Sequence, residues 1–465
     1  MAAEEQMIVA IEFGSSKITG VAGRRLTDGT WQIEAVSQEP AQQFMRNGVV
    51  YNHDKCVVAI KKVVKALSTR TNRYITQVYV GTGGQGLHTE KNTVVRRFEE
   101  SRAVPLDVVN EMMQENLSTP VRNLEIVKAI PQEYRVGNQR HSDPVGVLTT
   151  SIEGEYLNLV ARPSVRGDIR NCFSEAGVEV AELCATPLLL GKELLSDDER
   201  RSGCVLVDFG AHTTTVLVYK GGYLRYLSVL PIGSAHITKD ITSLNGIEER
   251  EAEQLKITYG YTGESLSEEE KAAPAITLSD GQLVSKATLI NIIEARLEEI
   301  LVNVKEQIAQ SDKPLSILLS GAVLVGEGAQ LKNMVGAFKK FVHEVNRVSI
   351  RTGKPAVRFI RELSRQYGAN TMGLVGALCV LANGTQNCVG DELPPQGSGD
   401  IFTSTTPKVE PAPKPEPAPA KEEEKQPDED DAPKKHKSGF LRRVTNALTR
   451  ATNKIVGEDE DIKEE

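Results

Sequence analysis

Two short stretches of this chain hold the residue types that grip a phosphate. Residues 9–22 read VAIEFGSSKITGVA and residues 205–218 read VLVDFGAHTTTVLV. Each is an apolar strand ending in a carboxylate, then Phe-Gly, then small or hydroxyl residues, then a second strand. Val9/Val205, Phe13/Phe209, Gly14/Gly210 and Thr19/Thr215 are identical. A hairpin turn of this make-up aims backbone N–H groups at an anion. Gly14 permits close approach, Ser15 and Ser16 add donors, and Lys17 adds charge. Gly210, His212, Thr213 and Thr214 are placed to do the same in the second turn. Glu12 and Asp208 end their strands beside the turns. There they suit the water shell of Mg²⁺, an ion that keeps several waters and takes few carboxylates. One copy alone reads equally well as an ordinary tight hairpin. Two copies about 195 residues apart point to a phosphate clamp between two similar halves.

Two further segments suit the rest of a nucleotide. Residues 314–330, PLSILLSGAVLVGEGAQ, read as a buried strand over Leu315–Leu319, then Ser320-Gly321, then Gly326 and Gly328. Glycine at the end of such a strand leaves room for a flat adenosine, although a plain strand-to-helix turn has the same look. Residues 249–260, EREAEQLKITYG, form a helical pattern that offers Glu253 and Lys256 to ribose or base. In isolation that helix would be a solvated face.

The elements that must carry these residues alternate in an α/β pattern from about residue 7 to 390. Met7–Glu12, Gln77–Gly81, Leu157–Ala161 and Val205–Asp208 read as strands; His53–Leu67, Arg166–Ala176, Glu248–Tyr259 and Ser285–Gln310 read as helices. A chain of 465 residues is too long for one core. The six cysteines are scattered, with no CxxC pair, and read as small buried thiols in a reducing compartment. The acidic N-terminus has no apolar run of the secretory kind. The longest apolar run, within residues 373–382, is about half of what a spanning helix needs.

Beyond residue 390 the composition changes twice. Residues 391–435 carry eight prolines between Pro394 and Pro419 and then an acidic run over Glu422–Asp431, the make-up of a disordered linker. Residues 436–457 follow as a basic amphipathic helix, and 458–465 close the chain with acids. Seven Lys or Arg and no carboxylate lie between Lys434 and Val456, in a chain of formal charge −8. At helical spacing Phe440, Leu441, Val444, Leu448 and Ile455 share one apolar stripe, flanked by Arg442, Arg443, Arg450 and Lys454. That pattern fits a helix lying in the interface of an anionic membrane. A nucleic-acid arm or a partner helix is the competing reading; phosphate binding needs only the charge, so the clean stripe speaks against nucleic acid.

The order of phosphate hairpin, second hairpin, AEQLK helix and glycine loop resembles the actin, sugar-kinase and chaperone ATPase superfamily. Within it the chain is most similar to the FtsA family of bacterial cell-division proteins. The matching stretches are IPQEYRVGNQRHSDPVGV (130–147), residues 203–215, LPIGSAHITKDI (230–241), AEQLKITYG (252–260) and IIEARLEEIL (292–301). The resemblance implies a two-lobed actin-like fold built from duplicated ribonuclease-H-like domains, with actin's usual small subdomain missing and a 1C insert elsewhere. Its subdomains would be 1A (1–84 and 162–202), 1C (85–161), 2A (203–245 and 315–390) and 2B (246–314). It implies ATP and Mg²⁺ between the lobes, with ATP hydrolysis weak at most and no catalytic residue assigned.

It implies filaments of the chain itself on the cytoplasmic face of the inner membrane, at the division site. There the protein would anchor the tubulin-like FtsZ by its C-terminal peptide and meet later division proteins through the insert. Arg296 matches a family arginine tied to that docking; its bland reading is a solvated helix arginine. Several positions depart from the pattern: Glu12 stands for Asp, His212 for Gly, Thr215 for a carboxylate, and Ser320-Gly321-Ala322 and Gly233-Ser234 each lack a glycine. Binding survives such changes more easily than hydrolysis, because in-line attack needs a well-placed water. Another actin-like adaptor, of the pilus-assembly or chaperone type, is the alternative. A sugar or acetate kinase would need a catalytic carboxylate in a substrate cleft, and none stands out.

Overall fold

The computed structural model describes residues 6–262, 275–278, 281–345, 347–351, 357–367 and 371–393. The linker from Pro394 onward, the basic helix with Phe440, Leu441, Arg442, Arg443, Val444, Leu448, Arg450, Lys454 and Ile455, and the acidic tail lie outside these residues.

Two sheets organise the described chain, and both are wound in the same order. In the first, Met7–Phe13 is antiparallel to Lys17–Arg25, which is antiparallel to Trp31–Pro40. On its other side Met7–Phe13 runs parallel to Gln77–Thr82, and that strand parallel to Glu179–Ala185. The second sheet repeats this plan with Cys204–Phe209, Thr214–Lys220 and Tyr223–Leu230, then Ala322–Val325 and Val348–Ile350 on the parallel side. The duplication glimpsed in two hairpins therefore extends over five strands per lobe. Fully buried runs such as Val9–Ile11 and Val205–Val207 are what a sheet covered on both faces requires.

Helices close the faces. His53–Thr71 carries Cys56, Ile60, Val63, Val64 and Leu67 on its buried side, opens on an Asn52 cap and stops at Asn72 in the left-handed conformation. Val375–Asn383 packs against Met7–Phe13 from the opposite direction. Between Trp31–Pro40 and the first helix stands only a pair of two-residue strands, Met45–Arg46 and Val49–Val50.

Residues 88–161 form long antiparallel strands, His88–Ala103, Glu125–Val136 and Leu148–Ala161, with the helix Leu106–Ser118 laid across them. They enclose a separate core of Val94, Val104, Met112, Tyr134, Ile152 and Tyr156. Although the sequence places this segment inside the first lobe, its sheet continues into the second lobe through the pairing of His88 with Ser228.

Several expectations are corrected. Leu315–Ile317 is a 3₁₀ turn, and the strand forms later, at Ala322–Val325. Ile237 and Ile241 of the helix Ser234–Asn245 pack with Ile247, Leu255 and Ile293 in one cluster. The last turns of Lys286–Ala309 belong instead to the sheet's core, through Leu297, Ile300, Val304 and Ile308. Asp391 and Glu392 lie in the strand Val389–Glu392, paired with Arg73–Ile75, so ordered structure runs slightly past the expected linker start. All six cysteines are buried thiols. No helix among the described residues is long and apolar enough to cross a membrane.

Candidate functional site

The two hairpins are closed by the same bond. Gly14 N–H donates to the Lys17 carbonyl at 3.1 Å, and Gly210 N–H donates to the Thr213 carbonyl at 2.9 Å. In register, Glu12 stands opposite Thr19 and Asp208 opposite Thr215. The turns face one another across a cleft of about 1000 Å³, lined by Glu12, Gly14, Ser15, Ser16, Lys17, Asp208, Gly210, Thr213, Glu253 and Lys256 among others. That volume suits a nucleotide-sized ligand.

Direct bonds already cross between the hairpins. The backbone N–H of His212 donates to Ser15 Oγ at 3.1 Å, and His212 Nδ1 lies 3.1 Å from the Ser15 carbonyl. Burial holds the His212 imidazole below its ordinary pKa, which favours the neutral ring. Lys17 Nζ reaches Glu327 at 2.9 Å, an ion pair joining the first hairpin to the turn after Ala322–Val325. Sequence reasoning missed Glu327. The signal was present, since it sits between Gly326 and Gly328 in a segment already singled out.

The carboxylates at the cleft floor are the most perturbed groups in the site. Burial, and then the nearby Asp208 charge, push Glu12 up to about 7 against the opposing pull of Lys17. Burial pushes Asp208 up to about 6. Backbone crowds both. A side chain at Gly376 would collide with the Glu12 carboxylate, and one at Gly326, where φ is +86°, would collide with Asp208. Two acids confined this way favour a cation that relieves them. Among the described residues no cluster of three or more His, Cys, Asp or Glu would grip a bare metal ion. Two carboxylates beside hydroxyl-lined space fit a Mg²⁺ that keeps its water.

Other expected residues stand differently. Thr214 is buried, and its hydroxyl donates to the Ile232 carbonyl at 2.7 Å, so it turns from the cleft that Thr213 and Thr215 line. Glu253 and Lys256 reach the cleft but pair with each other at 2.7 Å, and Lys256 also donates to Thr238 Oγ1 at 2.9 Å. Ser320 and Gly321 are corrected outright. Ala322 pairs with Val205, and Asp208 with Val325, which puts Ser320-Gly321 at the far end of the strand from the floor carboxylates. There their backbones bond Gly203 and Val205. Of the glycines in residues 314–330, Gly326 and Gly328 are the ones that line the cleft.

Arg296 lies on another face, in the helix Lys286–Ala309, only 13% exposed. Its guanidinium grips Asp240 through two bonds, of 2.5 and 2.9 Å, and Glu299 at 2.6 Å. It is an internal tie between two helices rather than a solvated arginine.

A five-strand plan repeated in two sheets, with the matching hairpin turns lining one deep cleft, defines an actin-like, two-lobed protein. The solved PilM-PilN type IV pilus biogenesis complex shares this fold, with a TM-score of 0.55 at 15% identity over 80% of this chain and 96% of that one. Within that class, the family that sequence matches support is FtsA. The family model described as cell division protein FtsA matches residues 205–371. Curated proteins of that description align at 29% identity in Porphyromonas gingivalis, over 76% of this chain and 75% of that one. The Bacillus subtilis protein aligns at 26%, over 86% and 90%, and the Escherichia coli K12 protein at 25%, over 76% and 85%.

Proposed function

We propose that the chain is an ATP-binding, actin-like division protein that holds a cytoskeletal partner at the membrane. The observation that carries the nucleotide reading is the facing pair of hairpins over Glu12 and Asp208. Gly14–Lys17 and Gly210–Thr213 would cradle the phosphates with backbone N–H groups, and the two carboxylates would hold Mg²⁺ through its water. Bound Mg²⁺ would draw charge from the phosphates. Lys17 and the hydroxyls of Ser15, Ser16 and Thr213 would orient them, and Glu253 and Lys256 would meet the ribose or base. We assign no base for water among the described residues, and binding with weak turnover at most is the expected behaviour.

The division role is supported by the family of its relatives. Membrane attachment is supported by the sequence of residues 436–457, and the FtsZ peptide, filament partners and further division proteins follow from the family resemblance alone. The experiment is a thermal melt of the full-length protein with and without Mg·ATP. A ligand at about 100 times its Kd should stabilise by roughly 2.7 kcal/mol. A melt that ATP leaves unmoved overturns the nucleotide reading.

A further inference from the structure

A cluster of reactive groups lies in the first lobe, away from the residues that line the cleft. Cys56 stands on the helix His53–Thr71 and Cys172 on Pro163–Ala176, both fully buried where these helices pack. Cys56 follows His53 by one helical turn, so the two side chains share the helix face that packs on the Cys172 helix. His53 Nδ1 lies 3.3 Å from Cys172 Sγ, and His53 Nε2 lies 2.9 Å from Glu175 Oε1. The line therefore runs carboxylate, imidazole, thiol, with the second thiol one helical turn beyond the imidazole. A carboxylate that holds an imidazole favours its protonated form, and an imidazolium beside a thiol favours the thiolate, which is the nucleophile.

The two sulfurs differ in the way such a pair requires. The neighbouring Cys56 thiol, and then the His53 charge, draw the Cys172 thiol below its ordinary pKa, while the Cys172 thiol and burial push Cys56 up. The contrast with other thiols is sharp: burial pushes Cys184 and Cys204 up to about 12 and Cys388 up to about 11. Those are inert packing groups. Access comes from the helix start. His53 is the first residue of its helix, and the Asn52 cap bonds Lys55 one residue before Cys56. Helix ends open locally at low cost, and the Glu175 and His53 side chains, 62% and 36% exposed, already reach solvent.

We propose that Cys172 and Cys56 form a dithiol modification site that a small hydroperoxide converts into an intramolecular disulfide. Cys172 passes its proton to His53, and the thiolate attacks the terminal peroxide oxygen. The O–O bond breaks, the leaving oxygen takes the proton back from His53 as an alcohol or water, and Cys172 becomes a sulfenic acid. Cys56 then attacks that sulfur, and its proton departs with the hydroxyl as water. The peroxide is reduced by two electrons and two thiols become one disulfide. Residues 56 and 172 are thereby joined, stapling two helices of the first lobe.

The test treats folded full-length protein with hydrogen peroxide, blocks remaining thiols by alkylation and maps peptides by mass spectrometry. The linked Cys56–Cys172 peptide should accumulate while Cys184, Cys204, Cys379 and Cys388 stay alkylatable. Cys56→Ser should leave a sulfenic acid on Cys172 that dimedone traps. His53→Gln, with its melting temperature unchanged, should slow linkage at least about tenfold. Should Cys56→Ser fail to fold, His53→Gln still decides, because it leaves both thiols in place. No linked peptide in the wild-type chain, equal oxidation of all six thiols, or an unchanged rate in His53→Gln would each overturn the proposal.

Discussion

At the scale of single residues, the cleft is charged in a way that the proposed nucleotide would have to rearrange. Lys17 is the cation on the first phosphate turn, yet Glu327 holds it. The pair is 28% and 54% exposed on its two sides, so its own worth is small, about 0–1 kcal/mol. A phosphate that takes Lys17 must release Glu327 and leave a carboxylate beside itself. Glu327→Gln should therefore tighten Mg·ATP binding, by up to about fivefold on that energy, as read by titration calorimetry. Unchanged or weaker binding would mean that Lys17 does not serve the phosphates. The two hairpin turns were legible in the sequence, because each is local: Gly14 through Lys17 and Gly210 through Thr213 are contiguous. Glu327 lies in a glycine segment the sequence does single out, but its role there depends on a partner 310 residues away. Thr214 shows a related limit, because alternation within a hairpin turns every second side chain from the cleft.

At the scale of elements, short apolar runs carried too little information. Residues 315–319 and 322–325 are both strand-like by composition, and periodicity cannot choose between them. The neighbour Cys204–Phe209 chooses, by pairing Val205–Asp208 with Ala322–Val325. Ser320 and Gly321 were misplaced for that reason alone. The longer helices stood out in the sequence because their apolar spacing persists over many turns, as in Lys286–Ala309. What spacing could not show is that Arg296 joins that helix to Ser234–Asn245 through Asp240. Arg296→Ala would leave Asp240, 15% exposed, without its partner, at a cost of about 1–3 kcal/mol. The variant should melt lower and lose capture of an FtsZ C-terminal peptide, whereas Arg296→Lys should recover part of the melt. Full capture by a destabilised Arg296→Ala protein would remove this helix pair from the docking surface.

At the scale of the whole molecule, the duplicated fold was readable from a single repeated motif, while the boundaries of its parts were not. They depend on which core each helix joins. The proposed membrane attachment belongs to this scale because on that reading it would multiply with assembly. Each Lys or Arg near an anionic leaflet contributes about 1 kcal/mol, and linked copies gain avidity. Full-length protein should float with anionic vesicles, and a chain lacking 436–457 should stay behind. Equal flotation of both would end the tether reading.

The segment 88–161 has one more consequence. It leaves the first lobe in sequence, yet His88 pairs with Ser228, Leu227 N–H donates to Thr89 Oγ1 at 2.9 Å, and Arg225 reaches Gln132 at 3.2 Å. The segment is thus geared to both lobes at once. A rotation of one lobe against the other would carry the segment with the second sheet, like the needle of a gauge. Hold the needle, and the dial is held too: a body seated on this segment would bias the cleft as strongly as the cleft biases it.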